Sequence, residues 1–91
     1  MVWDVLRHAT KKLDGALIQL IGHEDREWQI YAPKNKTGTT ESVGWVGFLP
    51  NGRIGWLEYD DAPCPWLPRE PLRQALIELG KQLYAKESNG A

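Results

Sequence analysis

The chain offers two histidines and one cysteine, with acidic residues scattered among them, as its candidates for chemistry. His23-Glu24-Asp25, together with Asp60 and Asp61, supplies the donor types a hard cation prefers. The spacing matches neither a calcium loop nor a zinc site, so a solvated turn is expected there and no metal. Cys64 stands between Pro63 and Pro65, where no helix N-terminus can lower its pKa, and is read as structural. Being the single cysteine, it can form no intramolecular disulfide. Ser42 opens a strand and Ser88 sits near the end of the sequence, and neither belongs to a G-x-S-x-G elbow. No phosphate-binding loop or G-x-G-x-x-G turn occurs. The pair Asp60-Asp61 suits the capping of a turn better than acid–base work, and His8 suits a surface or partner-facing position. A protein without catalysis or cofactor is expected.

The five tryptophans are the residues that stand out. Trp66, between Cys64-Pro65 and Leu67-Pro68, reads as a plug that pins a connector. Trp28, Tyr31, Trp45 and Trp56, with Lys34, Lys36 and Arg53 close in sequence, are the residue types that stack bases and neutralise phosphates. Whether they can act together depends on which elements carry them.

Residues 2–13 read as a short N-terminal helix. Trp3, Leu6 and Leu13, helped by Val2, Val5 and Ala9, give it an apolar face, and Gly15 provides a stop. Residues 16–21 are short, aliphatic and bounded by Gly15 and Gly22, the pattern of a buried strand. Residues 27–32 make a second strand ending at Pro33, and residues 34–42 a polar loop. Residues 43–49 and 53–59 form a hairpin around Pro50-Asn51-Gly52, whose residue types suit a three-residue turn. A proline-rich connector over 60–71 leads to a C-terminal helix with a stripe of Leu72, Leu76, Leu79 and Leu83. Residues 88–91 are a frayed tail. The expected fold is therefore α+β: one domain over 1–91, with a four-stranded antiparallel meander packed on a C-terminal helix.

In the register that follows from this turn, Leu49 pairs with Arg53, Gly47 faces Gly55, Trp45 faces Leu57 and Val43 faces Tyr59. The other side carries Phe48 with Ile54, Val46 with Trp56 and Gly44 with Glu58. Opposed glycines would leave a trough walled by Trp45 and Leu57. Such a trough suits the close approach of a helix, a partner or a small molecule. Trp45 and Trp56 then lie on opposite faces, which divides any stacking platform.

The chain has 11 basic and 12 acidic residues and a formal charge of −1, interspersed along its length. That balance argues against strong non-specific nucleic-acid binding and against an anionic membrane. The opening Met1-Val2-Trp3-Asp4 lacks the regions of a secretory signal, so a cytoplasmic location is expected. A meander followed by one long helix is similar in outline to the single-stranded-DNA-binding transcriptional-coactivator and whirly-type folds. That likeness is one of architecture alone, covers about the last three quarters of the chain, and does not fix function.

Three functions follow. The leading one is a binding or regulatory domain acting through a protein–protein surface as a homo-oligomer. Its residues would be Trp45, Leu57 and Tyr59 on the trough, and Ile77 and Tyr84 flanking Gly80 on the helix. The second is single-stranded nucleic-acid binding through Trp28, Tyr31, Lys34, Lys36 and Arg53. The third is a small-molecule pocket over Gly47 and Gly55.

Overall fold

A computed structural model of the chain describes residues 7–85. Five strands come first: β1 (His8–Leu13), β2 (Ala16–Gly22), β3 (Glu27–Pro33), β4 (Thr40–Phe48) and β5 (Ile54–Tyr59). They pair antiparallel in the order β1-β2-β3-β4-β5, each beside its sequence neighbour. Helix α1 (Arg69–Gly80) follows and runs on into a π-helical turn, Lys81–Ala85. The α+β class, the antiparallel meander and the C-terminal helix are as expected. The sheet, however, has five strands rather than four, and no N-terminal helix occurs in the described residues.

The fifth strand originates at Asp14-Gly15. Both residues take positive φ, 55° and 83°, the pair of left-handed positions a two-residue type I′ hairpin requires. Gly15 therefore turns the chain back on itself instead of capping a helix. Leu13 pairs with Ala16 and His8 with Ile21, so the apolar Ala9 and Leu13 join the face that covers the core. The part of the expected helix over 2–6, and the tail over 88–91, lie outside the described residues.

Alternation gives the sheet two unlike faces. Ala16, Ile18 and Leu20 of β2, Trp28, Ile30 and Ala32 of β3, and Val43, Val46 and Phe48 of β4 are all buried. Helix α1 lies over this inner face and closes it with Leu72, Leu76 and Leu79 of the expected stripe. Each leucine removed from water contributes about 1.5–3 kcal/mol. Leu67 and Cys64 seal the connector beneath. The Trp66 indole N–H donates to the Pro33 carbonyl at 2.8 Å, pinning that connector as its sequence context suggested. Among the described residues, no buried side-chain nitrogen or oxygen lacks a hydrogen-bond partner, and no helix is long and apolar enough to cross a membrane.

The β4–β5 hairpin begins as anticipated. The Leu49 N–H donates to the Arg53 carbonyl at 2.8 Å, and Phe48 pairs with Ile54. Beyond that pair a β-bulge takes up Gly55, and the register slips by one residue. Gly47 faces Trp56, Val46 faces Leu57, Trp45 faces Glu58 and Gly44 faces Tyr59. A one-residue slip exchanges the faces of every side chain beyond it. Trp56 accordingly leaves the core side and joins Trp45 on the outer face.

Candidate functional site

The Gly47–Gly55 trough does not form. Gly55 is the bulged residue, and Gly47 lies beneath the Trp56 indole so closely that a methyl group at Gly47 would overlap the ring. The space over Gly47 is taken by the chain's own tryptophan. With the trough gone, the residues expected to share one surface separate. Trp45 is on the outer face. Leu57 and Tyr59 turn to the inner side and pack against the core. The Tyr59 hydroxyl donates to the Leu67 carbonyl at 2.6 Å, and burial, reinforced by the negative charge of Cys64, Asp61 and Asp60, pushes its pKa up to about 12.

On the helix, Ile77 stays half-buried on the flank while Tyr84 is buried. The wider π-helical turn acts as one extra residue and rotates Tyr84 from the flank onto the core side. There its hydroxyl accepts the Trp28 indole N–H at 2.8 Å, and its ring lies 5.6 Å from that of Phe48. Gly80, expected to admit a partner, is instead approached by the Gly52 carbonyl of the hairpin turn.

The nucleic-acid set is divided as well. Trp28 is only 2% exposed. Tyr31 is on the outer face, paired with Gln19 and Ser42. Lys34 is exposed in the β3–β4 loop, and Lys36 forms an ion pair with Asp14 at 2.6 Å while standing 5.8 Å over the Trp66 ring. Arg53 is at the far end of the strands, in the β4–β5 turn. Cys64 is fully buried and donates its thiol hydrogen to the Pro33 carbonyl at 3.2 Å, and burial pushes its pKa up further.

What the sheet does bring together is its outer face, which α1 leaves bare. One row of opposed residues crosses all five strands: His8, Ile21, Gln29, Trp45 and Glu58. Polar contacts hold its centre in place. The Gln29 amide donates to Ser42 Oγ at 2.7 Å, its Oε1 lies 3.2 Å from His23 Nε2, and the His23 ring sits 4.8 Å from the Trp45 ring. Trp56 and Leu17, each 43% exposed, extend the apolar surface to either side, with Tyr31 between. Trp45 and Trp56 occupy diagonal positions, a relation that keeps aromatic side chains within reach of one another. Reading the sequence alone missed Ile21, Gln29, Trp56 and Glu58 as members of one surface. The Asp14-Gly15 dipeptide, a strong hairpin signal, was the clue to the row's first strand.

Both edges of the sheet are protected. β1 carries Lys11 on its inner side and Lys12 on its outer side, a common guard against strand addition. β5 is interrupted by its bulge, and the Arg69 guanidinium donates to the Leu57 carbonyl at 3.4 Å. Comparison with family models, with curated proteins and with solved structures finds no match for this chain. Its function is therefore argued from this geometry.

Proposed function

We propose that the chain is a non-catalytic binding domain of the cytoplasm that self-associates through the outer face of its sheet. The observation that carries this reading is the chemistry of the row His8–Ile21–Gln29–Trp45–Glu58. A two-fold axis parallel to the strands, set between two such faces, lays β1 of one protomer over β5 of its partner. His8 then meets Glu58 of the second copy, Ile21 meets Trp45, and Gln29 meets its own counterpart at the axis. The row complements its own reverse, as an isologous interface requires.

The available area is modest. Strands ~4.8 Å apart with a rise of ~3.4 Å per residue give a flat face of about 500 Å2, hence about 1,000 Å2 for the pair. That is near the lower bound for a specific interface, so a dimer that dissociates on dilution is expected. Aligned sheets also cross at about −30°, which concentrates contact on the middle of the row and makes Trp45 the anchor.

One observation favours a second reading. The bulge at Gly55 brings Trp56 onto the face that carries Trp45 and Tyr31, the arrangement a base-stacking platform uses. The face carries Glu27 and Glu58 beside the tryptophans, however, and the lysines of the β3–β4 loop lie at its end. Phosphates would find little positive charge there.

Light scattering after size-exclusion chromatography over a range of concentrations separates the two readings. A mass that doubles with concentration, and stays monomeric in Trp45→Asp, supports self-association. A monomer at every concentration that gains the mass of a short oligonucleotide at low salt moves the assignment to nucleic acid.

A further inference from the structure

A different surface lies on the helical side of the sheet, where the β4–β5 turn meets α1. Arg53, Ile54, Arg73, Ile77 and Lys81 line an open groove of about 310 Å3. Arg73, Ile77 and Lys81 recur every fourth residue and so share one stripe of the helix. Ile54 and Ile77, both half-buried, form an apolar floor, and the three cations stand exposed around it. Among the described residues, no carboxylate lines the groove. Glu70, one turn earlier, meets Arg73 through a single 3.3 Å contact, and the same carboxylate oxygen also accepts from Gln74 at 2.7 Å. In a chain whose formal charge is −1, this is a local reversal of sign over an apolar floor.

The backbone that frames the groove is closely packed. The Gly52 carbonyl and the Phe48 ring approach Gly80 so closely that no side chain would fit there. Helix end and hairpin turn are thereby held together, which sets the spacing of the two elements that carry the cations. A larger cavity, about 380 Å3, lies at Arg7, His8, Trp28, Leu83 and Tyr84. Its one arginine is already engaged, stacked 4.9 Å over Trp28 and donating to the His23 carbonyl at 2.8 Å.

We propose that the groove between Arg53 and Lys81 docks an acidic segment of a partner protein, one whose carboxylates flank an apolar side chain. The cations take the carboxylates, and Ile54 and Ile77 take the apolar residue. None of the described lining residues is aromatic, so they offer no surface for stacking bases, and an inorganic anion would make no use of the floor. The groove faces away from Trp45 and does not depend on self-association.

The test is an amide-resolved NMR titration of the full chain with a synthetic glutamate peptide bearing a leucine at every fourth position. The same peptide with serine for leucine, an oligothymidylate and inorganic phosphate serve as comparison probes. The expected result is movement of the Arg53, Ile54, Ile77 and Lys81 amides with the leucine peptide. Binding should be at least tenfold weaker for the serine peptide and lost in the Arg53→Glu/Lys81→Glu double variant. Because both substituted side chains are exposed, the variant's remaining amide spectrum and its dimerisation should be unchanged. The proposal is overturned if the leucine peptide moves none of these amides or moves them equally in the double variant. It is overturned too if the serine peptide, the oligothymidylate or phosphate binds as well as the leucine peptide.

Discussion

The two faces of this sheet use similar residues for opposite purposes. On the inner face Trp28 is 2% exposed, its indole N–H is bonded to Tyr84 of the π-helical turn, and Arg7 lies over its ring. On the outer face Trp56 is 43% exposed, and Trp45 has the His23 ring tilted against it and, among the described residues, no helix above. An antiparallel sheet commonly presents one face to the core and a polar one to water. Here the second face is not polar. It mixes Leu17, Ile21, Tyr31, Trp45 and Trp56 with His8, Gln19, Gln29, Ser42 and Glu58. A burial pattern of this kind separates residues that hold the fold from residues the fold merely displays. Substitutions on the two faces should therefore fail in different assays.

The largest contrast is between tryptophans. Trp28→Ala removes a buried indole and leaves the Tyr84 hydroxyl without its donor. The lost burial and the cavity left behind together cost about 3–5 kcal/mol for such a change, so chemical denaturation should find the variant largely unfolded or close to it. Trp45→Asp, on the outer face, should alter unfolding free energy by under about 1 kcal/mol. The same substitution should weaken self-association by at least about 2 kcal/mol, roughly thirty-fold in dimer Kd, as expected of a central aromatic anchor. A Trp45 variant that melts like the Trp28 variant would make both faces core and dissolve the distinction.

That contrast was only half legible in the sequence. The leucine stripe of α1, the Pro50-Asn51-Gly52 turn and the pinning role of Trp66 follow from local pattern, because each depends on residues a few positions apart. Of the helix expected over 2–13, the described part is instead the strand His8–Leu13, because the Asp14-Gly15 turn that decides the matter was read as a helix stop. The assignment of faces failed on one residue. A bulge at Gly55 cannot be told from an ordinary strand glycine by composition, yet it moves Trp56 across the sheet and turns Leu57 inward. Tyr84 moved for a similar reason, since one π-helical turn rotates whatever follows it. Single-residue irregularities of this kind leave local propensity almost unchanged while they reassign every contact downstream.

Titration sharpens the same comparison from the inner side. Tyr59 is held as a neutral phenol by burial first and then by the charges of Cys64, Asp61 and Asp60, with its pKa raised from 10.0 to about 12. A raised pKa means the folded state keeps a proton the unfolded state has lost. The stability this confers is complete below about pH 10 and fades as pH rises from there through about 12. Cys64, raised by burial and then by Glu41, acts in the same direction on the alkaline side. Denaturation midpoints should therefore fall in strongly alkaline solution, and Tyr59→Phe should flatten the part of the fall between pH 10 and 12. A profile unchanged by Tyr59→Phe would show that the phenol does not sense the closed side of the sheet.

The smallest expected effect is the most specific to the outer face. If two copies pack about an axis parallel to the strands, His8 of one protomer lies opposite Glu58 of the other, and the pair occurs twice in the dimer. Polar contacts between exposed side chains contribute about 0.2–1 kcal/mol each, so Glu58→Lys alone should weaken the dimer only a few-fold. Adding His8→Glu places a carboxylate opposite each new lysine and should restore association through that ion pair. Neither residue contributes to the core, so unfolding free energy should remain level throughout the set. Rescue measured by sedimentation would identify which strand lies over which, information that loss of binding at Trp45 cannot supply. If the double variant associates more weakly than either single one, the axis runs across the strands instead, and β1 does not meet β5.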